Sequence, residues 1–179
     1  MIDEKVLIWG AGAIGGILGA YWARVGLDVI MVDIVQEHVL ECRANGLKIE
    51  GPVENFSQKI ECVTPSELEG KFNYVFLAVK AQDTEKAVKS ILPHLNESGF
   101  IISAQNGLNE RLISELAGPS RTIGAFVNYG ADWLGPGKIL FGNRGAVVVG
   151  EIDNSIKPRT EKIYQMLKLF EPNAVLTKN

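Results

Sequence analysis

Gly10, Gly12 and Gly15 carry the spacing G-x-G-x-x-G, inside the run IWGAGAIGGILGA that starts at Ile8. Glycine costs about 1 kcal/mol relative to alanine in a helix interior, so this density at one junction needs a reason. The spacing alone is a weak signal. Its setting is stronger, because it directly follows a short apolar run and opens an amphipathic stretch. There, Gly10 makes the tight turn, Gly12 lets a pyrophosphate approach the backbone, and Gly15 lets helix and strand pack closely. Ala11, Ala13 and Ile14 complete the loop. The helix start adds free N–H groups and a partial positive charge for an anion. A tight turn without a ligand is the bland alternative.

Three more positions could do chemistry. Asp33 ends the second apolar run, 23 residues after Gly10. A carboxylate there can accept hydrogen bonds from ribose hydroxyls and would repel a 2′-phosphate, which favours NAD(H) over NADP(H). It could also cap the helix over 35–44, and the two roles can coexist. Lys80 comes just after the apolar run of FLAVKAQD, and Asn106 sits in ISAQNGLNE after the next one. A solvated lysine and an Asn-Gly turn are the alternatives for these two. Both fall where neighbouring strands end, which is where ligands sit in open α/β sheets.

The elements that must hold these residues follow from hydrophobic periodicity. Continuous apolar runs over 5–9, 28–32, 73–79 and 99–103 read as buried parallel strands. Helical spacing over 13–25, 35–44, 83–92 and 109–116 gives the intervening helices, with Val39 and Leu40 facing inward in the second and Asp83 capping the third. The segment 46–63 reads as a small antiparallel excursion on the sheet edge, and 64–66 as a short helical turn. After residue 120 the pattern predicts three strands in a row, 122–128, 137–141 and 146–150, separated by glycine-rich turns. A helix from Pro158 buries Ile163, Met166, Leu167 and Phe170, and 174–176 adds a final short strand. The expected fold is an α/β, Rossmann-type, doubly wound and mostly parallel sheet with extra C-terminal strands. Residues 1–172 form the dinucleotide-binding domain, and 173–179 the edge strand and a linker.

The bulk properties narrow the class. The 179 residues carry a net charge of -3, with both signs scattered along the chain. No basic stripe suggests nucleic acid or an anionic membrane. Cys42 and Cys62 are far apart, without CxxC context, and read as free thiols in a reducing compartment. His38 and His94 form no ligand-like cluster, so no metal is expected. No apolar stretch reaches the roughly 18 residues a membrane span needs. The first residues read as a strand rather than a signal peptide, and a cytoplasmic location is expected.

The stretches GAGAIG, NGLKIEG, VFLAVKAQDTEKA, QNGLNERL, GPGKILFGNRG and GEID follow one another along nearly the whole chain. In these the sequence resembles the N-terminal domain of the ketopantoate reductase family (2-dehydropantoate 2-reductases). The resemblance implies NAD(P)H-dependent reduction of a 2-oxo acid, ketopantoate to pantoate in pantothenate and coenzyme A synthesis. It implies that the glycine loop holds the pyrophosphate, that Lys80 lines the cleft, and that Asn106 lies near the nicotinamide ribose and the substrate. Many members prefer NADPH and carry a basic residue where this chain has Asp33. The family also has a second, all-helical domain bearing the lysine that protonates the alkoxide. That motif has no match in these residues, so the chain is expected to bind a dinucleotide without efficient turnover by itself. Self-association through the face meant for that domain is a further expectation. The alternatives are a stand-alone dinucleotide-binding module or subunit, and a reductase of another 2-oxo acid.

Overall fold

The computed structural model describes residues 4–178. The very start of the chain and Asn179, the end of the expected linker, lie outside the described residues. Strand β1 (Val6–Trp9) leads through the glycine loop into α1 (Ala13–Arg24), then β2 (Val29–Val32) and α2 (Gln36–Asn45). Three short strands follow: β3 (Leu47–Glu50), β4 (Phe56–Gln58) and β5 (Glu61–Val63). Next come β6 (Phe72–Leu77), α3 (Thr84–Ile91), β7 (Leu95–Ser103) and α4 (Glu110–Ala117). The chain then forms β8 (Thr122–Gly135), β9 (Lys138–Glu151), α5 (Pro158–Phe170) and β10 (Val175–Thr177).

One sheet runs in the order β4-β3-β9-β8-β7-β6-β1-β2-β5, with β10 also pairing β9. From β5 across to β8 every neighbour is parallel. That half has the 3-2-1-4-5-6 order of a dinucleotide-binding sheet, with its switch point between β1 and β6. Strand β9 turns back antiparallel on β8, and the β3–β4 hairpin extends that edge.

Alternate residues of the central strands enter different cores, as a period of two requires. Val6 and Ile8 join Ile17, Leu18 and Trp22 of α1 and Ile163, Leu167 and Phe170 of α5. Leu7 and Trp9 join Ala87, Val88 and Ile91 of α3 and Ile113 of α4. Both faces are therefore covered, which is why β1 and β2 are buried at every position. Trp22 is wholly buried and donates its indole N–H to the Met166 carbonyl at 2.9 Å, tying α1 to α5.

Several sequence expectations are corrected. The three strands after residue 120 are two, β8 and β9, each of 14 residues. The glycine-rich stretches within them are ladder irregularities, with register shifts around Asn128 to Ala131, and the reversal lies at Gly135–Lys138. The 46–63 segment splits between opposite edges: β3 and β4 form the hairpin, while β5 lies parallel beside β2. Residues 65–67 form a turn and no helix. Leu40 is exposed although Val39 is buried, because adjacent helical residues point about 100° apart. Val25 closes α1 as an exposed C-cap. Asp83 stands at the N-cap of α3, but its side chain makes no capping hydrogen bond. The stripe of Ile163, Met166, Leu167 and Phe170 is buried as expected.

Candidate dinucleotide site

The strand ends assemble the sequence-predicted residues along one edge. Trp9 pairs with Val32 on one side and Leu77 on the other, and Leu77 pairs with Ser103. The segments just beyond them therefore lie in the order Asp33, Gly10, Ala78–Lys80, Ala104–Asn106. Backbone bonds continue past the strands: Gly10 N–H to Val32 O at 2.8 Å, Ala78 N–H to Trp9 O at 2.8 Å, and Ala104 N–H to Leu77 O at 2.9 Å.

The glycines divide the labour. Gly10 has φ +102°, a left-handed conformation that disfavours side chains, and its Cα faces the Ala78–Val79 backbone. A side-chain carbon at Gly15 would strike the Gly10 carbonyl oxygen and Ile8. One at Gly12 would meet no atom within 4 Å. Gly15 is thus required by packing, whereas Gly12 borders open space. No side chain caps α1, so the first N–H groups of the helix remain for a ligand.

Asp33 is half-buried and uses both carboxylate oxygens. Oδ2 accepts the Ala11 N–H at 2.9 Å, and Oδ1 accepts the Val35 N–H at 2.9 Å. Each oxygen keeps a lone pair for a further donor. Val35 is itself the N-cap of α2 and no side chain caps that helix, so the expected capping by Asp33 is replaced by a hydrogen bond to the N–H two residues along.

A cleft of about 310 Å³ opens between Trp9, Gly10, Val32, Asp33 and Ile34 on the sheet side and Lys86, Ala87 and Ser90 on α3. Ile34 is 72% exposed beside Asp33, an apolar surface that sequence reasoning passed over. Beyond it lies a second depression of about 480 Å³ that includes Arg43, Thr64 and Glu67. The Arg43 guanidinium is already engaged, with Glu67 at 3.1 and 2.7 Å and the Cys62 carbonyl at 2.6 Å. Arg43, followed by the Thr64 N–H and hydroxyl, holds the Glu67 carboxyl down at about 2.

Lys80 and Asn106 are both exposed at this edge. Asn106 precedes Gly107, whose φ of +97° makes the Asn-Gly turn real, and its carbonyl accepts Asn109 Nδ2 at 2.8 Å. The turn leaves the Asn106 side chain exposed at the edge where the strands end. The neighbouring Gln105 is buried instead. Its amide donates to the Val79 carbonyl at 2.8 Å and to Thr84 Oγ1 at 2.9 Å, fixing the segment that carries Lys80. Sequence reasoning gave Gln105 no role of its own. Tyr129 was also missed: its buried hydroxyl donates to the Ile14 carbonyl at 2.7 Å and holds the first turn of α1 from β8.

An open glycine face, an uncapped helix start, an acidic residue beside the loop and a partly apolar cleft together fit a dinucleotide. Among the described residues no group of three His, Cys, Asp or Glu side chains could hold a metal ion. No described helix is long and apolar enough to cross a membrane.

Residues 6–154 match the family described as Ketopantoate reductase PanE/ApbA. The 2-dehydropantoate 2-reductase of Pyrococcus abyssi is 33% identical over 178 residues, 98% of this chain and 57% of its own length. That of Archaeoglobus fulgidus is 30% identical over 166 residues, 92% of this chain and 53% of its own length. The chain thus spans about half the length of these relatives. A 2-dehydropantoate 2-reductase structure from Geobacter metallireducens superposes with a TM-score of 0.88 at 26% identity, covering 97% of this chain and 58% of that one. D-mandelate dehydrogenase, solved with NADH and anilino(oxo)acetate, has the same fold: TM-score 0.88 at 24% identity, covering 96% of this chain and 56% of that one. On the sequence match and the architecture together, the chain belongs to the ketopantoate reductase family.

Proposed function

We propose that this chain is the dinucleotide-binding part of an oxidoreductase that reduces a 2-oxo acid, ketopantoate in the first instance, and that it takes NAD(H). The reading rests above all on the contrast between Gly15, which packs, and Gly12, which faces open space beside an uncapped helix start. The pyrophosphate would lie against residues 10–15, with Gly10, Ala11, Gly12, Ala13, Ile14 and Gly15 forming its cradle. The adenosine would occupy the cleft between Ile34 and α3, its ribose hydroxyls donating to Asp33. The carboxylate charge disfavours a 2′-phosphate, and Arg43, the nearby guanidinium, is held by Glu67. These two observations support NAD(H) over NADP(H).

A nicotinamide bound at this edge would supply a hydride to the ketone carbon. Lys80 and Asn106 would orient that end of the cleft: an ammonium attracts a carboxylate, and an amide both donates and accepts. Gln105 keeps the Lys80 segment in place. Substrate contacts and the proton for the alkoxide are assigned to residues beyond this domain, in keeping with relatives nearly twice as long. The domain so read covers residues 1–172, with 173–179 leading away from it.

Amide chemical-shift mapping with NADH tests the assignment. Saturable shifts are expected at residues 10–15, 33–35, 80 and 106. Shifts confined to other surfaces, or none at all, would overturn it.

A further inference from the structure

We infer that His38 is a positioning residue for the dinucleotide-binding loop, and that it makes the loop's hold on a dinucleotide depend on pH. The inference rests on the reading of residues 10–15 as a dinucleotide site. His38 lies in α2, outside the glycine motif, and only 1% of it is exposed. Its Nε2 lies 2.9 Å from the Ala11 carbonyl oxygen. Its Nδ1 faces two donors from the β8–β9 hairpin, the Gly137 N–H at 3.0 Å and the Trp133 indole N–H at 3.3 Å. Two donors on Nδ1 leave that nitrogen one role, acceptor. The ring proton therefore sits on Nε2 and is donated to Ala11.

Ala11 is consequently held at both ends of its backbone. Asp33 takes its N–H and His38 its C=O. The tie continues outward, because the Gly137 carbonyl accepts the Lys48 N–H at 2.8 Å. The loop that would cradle the pyrophosphate is thereby linked through one imidazole to the antiparallel edge of the sheet.

Protonation breaks this arrangement. An imidazolium carries a proton on Nδ1, where it would confront two N–H groups and no acceptor. Burial is the largest single influence on the ring and opposes its charge, but Cys42 from the same helix, Asp33 from the end of β2 and the Ala11 carbonyl together outweigh it and hold the imidazole above its ordinary value. The hairpin presents only the uncharged Trp133 and the Gly137 backbone. A proton added on Nδ1 meets two donors and no acceptor, so acidification forces either the ring or Ala11 to shift. Dinucleotide affinity should therefore be full at the alkaline end and fall as pH drops through the raised imidazole range, which lies above the roughly 6.5 of an ordinary histidine.

The test compares the wild-type chain, His38→Leu and His38→Gln. The leucine fills similar space without hydrogen bonds, and the glutamine amide can donate to Ala11 while accepting from Gly137. NAD⁺ binding is measured by calorimetry from pH 5.5 to 8, and amide exchange of residues 10–16 is measured in the ligand-free chain. His38→Leu should weaken binding about tenfold at the alkaline end, the loss of roughly one hydrogen bond's worth of positioning. It should also speed exchange in the loop. His38→Gln should restore both and flatten the pH dependence. Unchanged loop exchange and unchanged affinity in His38→Leu would overturn the inference, as would a pH profile in His38→Gln identical to wild type. If wild type binds no NAD⁺ yet His38→Leu loosens the loop, the cofactor reading fails and the positioning role stands.

Discussion

The carboxylate of Asp33 and the backbone N–H of Ala11 are joined at 2.9 Å, across 22 residues of sequence. The bond spans from the end of β2 to the loop after β1. The second oxygen of the same carboxylate receives Val35 N–H at the start of α2. Asp33 is therefore a brace for the loop, and its proposed part in holding a ribose comes in addition to that.

Asp33→Asn separates this account from a purely ligand-facing role. An amide can accept at one of its two ends only, so one of the two N–H groups loses its partner. Stability should fall by about 1–2 kcal/mol, the cost of an unsatisfied hydrogen-bonding group. NADH affinity should fall with it. Thermal unfolding and calorimetry check the two together. Weaker binding at unchanged stability would show that the brace carries no weight.

Gly12 and Gly15 should respond oppositely to alanine. At Gly12, φ is −71° and the added carbon enters open space. Gly12→Ala should cost under about 1 kcal/mol of stability while weakening dinucleotide binding on the order of tenfold, since the carbon occupies the pyrophosphate's approach. Gly15→Ala drives a carbon into the Gly10 carbonyl and should cost roughly 1–3 kcal/mol by overpacking. Denaturant unfolding with parallel NADH titrations reads both effects.

The side chain of Glu151 is almost wholly buried at the end of β9, where it accepts from Arg159 Nε at 2.8 Å, Arg159 Nη2 at 2.5 Å and the Thr160 hydroxyl. Burial pushes its carboxyl up, but Arg159 and Thr160 outweigh that and hold it below the ordinary value. Its contribution to stability is therefore complete above the unfolded carboxyl range, about 4.3, and is lost as pH falls through the lowered folded value. Glu151→Gln, which leaves Arg159 without its charge partner, should destabilise the fold by about 3 kcal/mol at neutral pH. It should also flatten the acid limb of the stability curve. Urea unfolding across pH 2.5–7 measures both.

The glycine loop, Asp33 and the parallel half of the sheet were legible because their signals are local. Each buried strand is a short apolar run, and the glycines sit next to the strand they serve. The long β8–β9 hairpin was not legible, because glycines at 130, 142 and 145 look like turns in sequence but are irregularities in a continuous ladder. β5 could not be placed beside β2 from its composition, since three residues carry little periodicity. His38 was invisible as a site residue for another reason. Its partners Trp133 and Gly137 are 95 and 99 residues away, and only the folded sheet brings them together. Gln105 could have been suspected: it is a polar residue directly following a buried strand, where an unpaired amide would be costly.

We propose above that this chain holds NAD(H) at the β1–α1 loop, with Asp33 selecting against a 2′-phosphate. Direct titration of the wild-type chain with NADH and with NADPH, at matched salt and neutral pH, tests it most directly. One saturable site is expected, with NADH bound at least about tenfold tighter, a difference of about 1.4 kcal/mol. NADPH binding as tight as NADH or tighter, or no saturable binding of either, would contradict it.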